Sequence, residues 1–220
     1  MIAKDLISYY IPSASCSATG DDVLAILDEH KIAHLALVDN ENYHGVISES
    51  EIFDFNDSSI SIKKIKPILV RPFVTAYSHI YEVIKILTEF NLTVVPVLDE
   101  KQEYLGMISI QDIAKNFAKL TNAHEPGGVL VLGINIRDYS LAQAAQIVES
   151  DNAKILSSYI SSNTNSLIID LILKINKKDL TSIVSAFGRY NYEIKATFHE
   201  SIFDDDIQKR YEQFMNYLNM

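Results

Sequence analysis

The chain contains an internal repeat whose two copies lie 60 residues apart. At that offset the sequence pairs Pro12 with Pro72, Val23 with Val83, Leu27 with Leu87, Glu29 with Glu89 and Asp39 with Asp99. One extra residue in the second copy then shifts the offset to 61, which pairs Gly45 with Gly106, Ile47 with Ile108 and Ser48 with Ser109. Two repeated units usually pack their apolar faces together, so the clefts between them are the first place to expect a ligand.

Each copy predicts the same order of elements: a helix, a strand, a turn, a second strand and a second helix. In the first copy, acidic residues precede a helical pattern, and 35–38 and 45–47 predict strands. In the second copy the strands fall at 94–98 and 105–108. The closing helix then has Ile113 and Phe117 facing inward.

Composition and charge narrow the class of partner. The formal net charge of -10 repels nucleic acid and anionic membranes, which favours a small ligand over either of them. No apolar run approaches the roughly 20 residues that span a bilayer. The sole cysteine, Cys16, cannot form an intrachain disulfide, and the first ten residues lack the pattern of a signal peptide. We therefore expect a cytoplasmic protein.

A third segment follows a boundary at 122–127, where Pro126 and two glycines interrupt the pattern. It predicts the order β-α-β-β-α-β, which is the ferredoxin-like arrangement. Ser140 caps its first helix, with Gln143 three residues later for a capping box, and the second helix ends at Gly188. The tail predicts an amphipathic helix that packs on its own domain or on a partner. The predicted organisation is α+β. It comprises the first copy of the repeat at 1–58, the second copy at 59–121, a linker at 122–127, the ferredoxin-like domain at 128–199 and the amphipathic helix at 200–220.

The repeat resembles the CBS domain, a regulatory motif that normally occurs in tandem as a disc-shaped pair. Residues 94–99 (VVPVLD) and 105–113 (LGMISIQDI) fit its pattern: an apolar-Pro-Val strand, a turn, Gly, two apolar residues, Ser or Thr, two variable residues and Asp. In the first copy, 35–39 (LALVD) lacks the proline, and Glu51 replaces the aspartate.

Residues 128–199 resemble the ACT domain, a βαββαβ module that often binds amino acids at a dimer interface. Many amino-acid-binding members have a glycine in the first strand-to-helix loop. This chain has 137–140 (RDYS) there, and Gly133 lies earlier, inside the strand. A CBS pair followed by an ACT-like domain is similar to the acetoin-utilisation AcuB group, and the resemblance implies a homodimer.

The CBS resemblance implies a nucleotide site where Ser109 and Asp112 join a strand to a helix. The hydroxyl would reach a phosphate or ribose, and the carboxylate would hold both ribose hydroxyls. By the same resemblance, Met107 and Ile108 supply apolar surface near the base, and the partner side of the cleft comes from Ile7 and Ser8. The pseudo-equivalent cleft pairs Ser48 and Glu51 with Lys66 and Pro67.

Two patterns also have structural interpretations. Ser-x-x-Asp and Ser-x-x-Glu before an apolar helix are capping boxes, which satisfy orphan N–H groups whether or not anything binds. The basic connector at 63–66 either meets a phosphate tail or is a solvated face that balances nearby acids. The six histidines show no zinc signature, so no metal is expected, and no catalytic motif is present.

The leading hypothesis is a non-catalytic sensor that needs no cofactor. It binds an adenine nucleotide (AMP, ADP or ATP) or S-adenosylmethionine and passes the change to a regulated partner. The alternative is an assembly module without ligands that only holds dimers together. A third, an enzyme acting on a nucleotide, would need a base or nucleophile that the sequence does not offer.

Overall fold

The computed structural model describes residues 1–55, 57–65, 69–162 and 167–198. The chain divides into two compact units, residues 1–117 and 118–220, and its fold is mixed α/β. The finer boundaries predicted within each unit stay predictions. No helix within these described ranges is long and apolar enough to cross a membrane.

The first unit contains both copies of the repeat. After a 3₁₀ helix at Ala3–Leu6, its elements are α1 (Gly20–His30), β1 (His34–Asp39), β2 (Asn42–Ser48), α2 (Glu49–Phe53), α3 (Ile62–Ile65), β3 (Val74–Thr75), α4 (Ile80–Glu89), β4 (Val94–Leu98), β5 (Tyr104–Ser109) and α5 (Ile110–Leu120). Strands β1 and β2 form an antiparallel pair, as do β4 and β5, and β3 joins β4 in parallel. The strands predicted in both copies are therefore present.

The two copies repeat irregular details as well as regular elements. The register of β1 shifts between Leu37 and Val38, and that of β4 shifts at the equivalent step, between Val97 and Leu98. Gly45 and Gly106 have nearly the same φ, 152° and 151°. Such a backbone is strained for a residue with a side chain, which explains why glycine occupies this position in both copies.

One core serves both copies. The largest fully buried side chains of the unit come from each: Leu27, Leu35, Leu37, Ile47, Ile52, Ile62, Ile80, Leu98, Met107 and Ile108. A shared core makes the two copies interdependent, because neither would bury its apolar face alone. Ile113 faces this core as predicted, but the inward position predicted for Phe117 is wrong, since Phe117 is 46% exposed.

The second unit is ferredoxin-like. Its described elements are β6 (Gly128–Asn135), α6 (Leu141–Glu149), β7 (Ile155–Ser162), β8 (Ile168–Ile175), α7 (Thr181–Arg189) and β9 (Glu193–Phe198). The sheet has the order β7-β8-β6-β9 with every pair antiparallel, which confirms the predicted βαββαβ arrangement.

Two details at helix ends differ from prediction. Ser140 caps α6 by accepting the Gln143 N–H at 3.2 Å, but the Gln143 side chain accepts from Tyr192 instead of completing a capping box. Helix α7 runs through Gly188, so the stop predicted there is wrong. The left-handed residue that follows α7 is Asn191, with φ of 60°, a conformation that asparagine tolerates. The predicted helix at 200–220 lies outside the described residues.

Candidate functional site

The carboxylate of Asp112 lies where β5 gives way to α5. Ser109 accepts the Asp112 N–H at 3.1 Å, which caps the helix, and donates its own hydroxyl to Asp112 Oδ2 at 2.5 Å. The hydroxyl of Ser8 also donates to Oδ2, and that of Tyr10 lies 3.2 Å from it. One carboxylate oxygen thus gathers three hydroxyls from segments about a hundred residues apart.

The N-terminal segment reaches Asp112 because it lies along β5. The N–H of Ser8 donates to the carbonyl of Met107 at 2.8 Å. Ile7 packs closely against Gly106, where an added Cβ would lie 2.5 Å from Ile7 Cγ2. The structure therefore brings together the Ile7 and Ser8 side of the predicted cleft with Ser109 and Asp112.

The surroundings of Asp112 keep its carboxylate ionised. Its side chain is 15% exposed, and this burial raises its pKa. Hydrogen bonds from Ser109, Ser8 and Tyr10, together with the nearby Lys115 ammonium, outweigh burial and leave the pKa below its ordinary value. At neutral pH this group is an anionic acceptor surrounded by hydroxyl donors, the chemistry that also recognises a vicinal diol.

Met107 and Ile108 differ from the expectation that they offer surface to a base. Both side chains are fully buried in the core of the first unit. The last three residues of β5 are all buried, which is the pattern of a strand covered on both faces. In this conformation the two residues position Ser109 and the carbonyl that holds Ser8.

In the pseudo-equivalent cleft, the acidic side chain of Glu51 caps a helix. Ser48 accepts the Glu51 N–H at 3.2 Å, and Glu51 Oε2 accepts the Ser48 N–H at 2.9 Å. This is a complete capping box, so the structural interpretation holds for that pair. Lys66 and Pro67, which the sequence analysis placed beside it, lie outside the described residues.

A small cavity adjoins this capping box. It measures about 140 Å³ and is lined by His34, Val46, Ser48, Glu51, Val70, Pro72, Phe90 and Leu92. Ligand pockets usually hold about 300–1,000 Å³, so this cavity must widen before it admits a whole nucleotide.

Two residues of the clefts were not predicted to take part. Tyr10 is not among the site residues predicted from sequence, yet its hydroxyl faces Asp112 and its ring lies 6.2 Å from that of His30. His34 lines the 140 Å³ cavity, and burial lowers its pKa. The repeat offered one signal for His34: its counterpart at offset 60 is Val94, the first residue of a strand, so a polar side chain replaces an apolar one at this position of the first copy.

A second cavity, of about 400 Å³, lies between the first copy and the beginning of the second. It is lined by Cys16, Ser17, Asp39, His44, Ser61, Ile62, Lys63 and Leu69. Burial, together with the charge and hydrogen bond of Asp39, raises the pKa of the Cys16 thiol to about 11. Lys63, from the basic connector, is exposed at its rim, while Lys66 of the same connector lies outside the described residues.

Comparison with known proteins gives the same family for both copies. The model of the CBS domain family matches residues 3–57 and 63–119, about half of the chain. An inosine-5'-monophosphate dehydrogenase from Methanocaldococcus jannaschii is 21% identical over 154 residues, 69% of this chain but 29% of the dehydrogenase. A CBS domain-containing protein from Dictyostelium discoideum is 25% identical over 141 residues, 57% of this chain and 97% of that protein.

Solved structures with similar folds are CBS pairs. A CBS domain pair/ACT domain protein from Thermotoga maritima has a TM-score of 0.48 and 21% identity, over 54% of this chain and 98% of that one. A CBS pair in complex with 5'-methylthioadenosine and S-adenosyl-L-methionine has a TM-score of 0.45 and 23% identity, over 54% and 97%. CBSX2 in complex with AMP has a TM-score of 0.46 and 18% identity, over 54% and 96%.

Proposed function

Because the chain belongs to the CBS domain family and carries two copies of that domain in tandem, we propose that it is a non-catalytic sensor of an adenosine-type nucleotide. The ligand class is AMP, ADP, ATP or S-adenosylmethionine, all of which carry a ribose with a vicinal diol. One observation supports this most strongly: the ionised Asp112 carboxylate collects hydroxyl donors at the junction of β5 and α5.

The proposed binding step is an exchange of hydroxyls. The two ribose hydroxyls donate to Asp112 in place of Ser8 and Tyr10, while Ser109 continues to cap α5. When the Ser8 hydroxyl loses its bond to Asp112, the N-terminal segment is held less strongly. It still retains the hydrogen bond from the Ser8 N–H to the Met107 carbonyl. The N-terminal segment is docked in one state of the chain and released in the other. The ligand shifts the populations of these two states only by the difference in its affinity for them.

The second unit supplies the proposed output. We assign residues 128–199 an ACT-like role in forming a homodimer that passes the change to a regulated partner. The whole chain would then act like the AcuB group, in the cytoplasm. The loop at 137–140 places exposed Arg137 and Asp138 where amino-acid-binding ACT domains often have glycine, so the proposed role is assembly and not amino-acid binding.

A second candidate function, a ligand-free assembly module, has observations in its favour. Glu51 already closes a capping box, and Asp112 already accepts three hydroxyls. Met107 and Ile108 are fully buried. Each of these four groups therefore also has a packing, capping or hydrogen-bonding role.

Calorimetric titration of the purified chain with AMP, ADP, ATP and S-adenosylmethionine separates the two. We expect one of them to bind, and Asp112→Asn to weaken that binding at least about tenfold, because a charge-assisted hydrogen bond contributes roughly 1.5–3 kcal/mol. Glu51→Gln, at the equivalent position of the first copy, is the matched control and should bind normally. A wild-type chain that binds none of the four would contradict the proposed sensor and support the assembly module instead.

A further inference from the structure

Three side chains of the first copy with metal-binding atoms converge in the 400 Å³ cavity. Cys16 comes from the segment before α1, Asp39 from the end of β1 and His44 from β2. One ligand atom from each, the thiol sulfur, a carboxylate oxygen and an imidazole nitrogen, lies within 4.8 Å of the other two. We propose that Cys16, Asp39 and His44 bind a divalent cation of the zinc class.

The spacing suits such a cation after a small contraction. His44 Nε2 lies 3.1 Å from Asp39 Oδ2. In a tetrahedral site with bonds of about 2.0–2.3 Å, ligand atoms lie roughly 3.3–3.8 Å apart. The nitrogen–oxygen pair is already near that value. The other two pairs of ligand atoms lie within 4.8 Å, so each needs to shorten by at most about 1 Å.

The donor set selects the metal. Sulfur and imidazole nitrogen favour zinc and similar borderline cations, whereas magnesium and calcium prefer oxygen throughout. A thiolate and a carboxylate together balance the two positive charges, with His44 neutral. Cys16 is protonated before the cation arrives, so its sulfur releases one proton to solvent on binding.

Asp39 is oriented by hydrogen bonds from groups other than the three ligand atoms. Its Oδ1 accepts from Ser15 Oγ at 2.6 Å and from the Cys16 N–H at 3.2 Å. These bonds direct Oδ2 towards His44. Partners that fix a ligating carboxylate in this way are a regular feature of metal sites. Three protein donors facing an open cavity leave the fourth position for water or a small ligand.

The second copy provides an internal comparison. At the positions equivalent to Cys16 and His44 it has Ala76 and Leu105, while Asp99 matches Asp39. The donor set is therefore particular to the first copy and is not part of the fold that both copies share. Sequence reasoning missed it because its members lie at 16, 39 and 44, without the short regular spacing of a zinc motif.

The test uses the tag-free full chain and the metals alone. Cobalt(II) reports directly on coordination, and because Cys16 is the only cysteine, a sulfur-to-cobalt charge-transfer band can come from no other residue. We expect one cobalt ion per chain with this band, displaced by zinc and not by magnesium. Cys16→Ala and His44→Leu, which copy the second repeat, should lose the band or weaken zinc binding about 100-fold.

Ser15→Ala serves as the graded variant, with an expected loss of about tenfold in zinc affinity. Ser61→Ala, which alters the lining of the same cavity outside the donor set, should bind zinc normally. Nucleotide titrations in Cys16→Ala report separately on the Asp112 site. Absence of the cobalt band in the wild type, or unchanged zinc affinity in both Cys16→Ala and His44→Leu, would overturn the proposal.

Discussion

The Nδ1 atom of His34 in the first repeat accepts a hydrogen bond from the backbone N–H of Thr93 in the second, at 3.3 Å. The Thr93 hydroxyl lies 3.2 Å from the same nitrogen and accepts the Ala33 N–H at 3.0 Å. An accepting Nδ1 belongs to the neutral imidazole with its proton on Nε2. The packing of one repeat on the other is therefore linked to the protonation state of this side chain.

Stability should fall on acidification because of His34. Burial lowers the pKa of His34 below its ordinary value of 6.5, so the unfolded chain binds this proton more readily than the folded one. The free energy of unfolding then decreases as the pH falls from 6.5 through the folded-state pKa, by at most about 1.4 kcal/mol for each unit of pKa depression. Urea unfolding at pH 7.5, 6.5 and 5.5 measures the slope.

His34→Asn is the variant that isolates this contribution. It keeps an acceptor near Thr93 but does not titrate, so its stability should depend less on pH over that range. His124→Asn, at an exposed position of the second unit, is the control and should keep the wild-type slope. If the free energy of unfolding depends equally on pH in the wild type and in His34→Asn, His34 is not the source of this pH dependence.

The Ser8–Asp112 contact should be visible as an energetic coupling. Asp112→Asn deprives Ser8 and Ser109 of a charged acceptor, and both serines are buried. We expect a loss of about 1–3 kcal/mol in the free energy of unfolding, and a smaller additional loss when Ser8→Ala is combined with it. A control double-mutant cycle, which combines Ser8→Ala with Glu51→Gln, should give additive losses of stability. Additive losses in the Ser8→Ala and Asp112→Asn cycle as well would refute the contact.

Removing a competing hydroxyl should strengthen nucleotide binding. Tyr10 lies 3.2 Å from Asp112 Oδ2, and in the proposed exchange the ribose replaces it. Tyr10→Phe no longer has that bond to lose, so AMP affinity should rise a few-fold in calorimetry. Tyr9→Phe, at a residue that is 87% exposed, should leave the affinity unchanged. Weaker binding in Tyr10→Phe would show that this hydroxyl contacts the ligand.

The repeated elements could be predicted from sequence because the same pattern occurs twice. The strands found at β1, β4 and β5 follow from short buried apolar runs, and the turn between β1 and β2 follows from residues that accept positive φ, such as Asn40. The placement of Ser8 beside Asp112 followed only from family resemblance. No local pattern relates residues 104 positions apart.

Features that depend on side-chain competition could not be predicted. Ser140 and Gln143 have the spacing of a capping box, but Tyr192 provides the Gln143 oxygen with a donor at 2.6 Å. The Cys16, Asp39 and His44 cluster depends on a loop, a strand end and a hairpin meeting in space. Neither propensity nor periodicity carries such information, since both describe neighbours along the chain.

The two equivalent glycines should differ in their tolerance of alanine. At Gly45 a Cβ would lie 2.6 Å from the carbonyl oxygen of Val70, and at Gly106 it would lie 2.5 Å from the Cγ2 atom of Ile7. Both have positive φ, so both variants lose stability. Gly45→Ala should lose more, because backbone yields less than a side chain, and Ile7→Ala should partly restore Gly106→Ala. Urea unfolding compares the stabilities of these variants. If Ile7→Ala fails to restore Gly106→Ala, the loss of stability comes from the positive φ of the backbone and not from the contact with Ile7.

Gly188 should show the opposite response. It lies within α7, and nothing lies within 4 Å of a Cβ added there. Alanine costs less backbone entropy in a helix than glycine, so Gly188→Ala should stabilise the second unit by about 0.5–1 kcal/mol in urea unfolding. Gly128→Ala is the contrasting variant, because its Cβ would lie 2.7 Å from Leu180 Cδ1 and should destabilise the same unit. A loss of stability in Gly188→Ala would mean that α7 ends at this residue in solution, as the sequence pattern alone indicated.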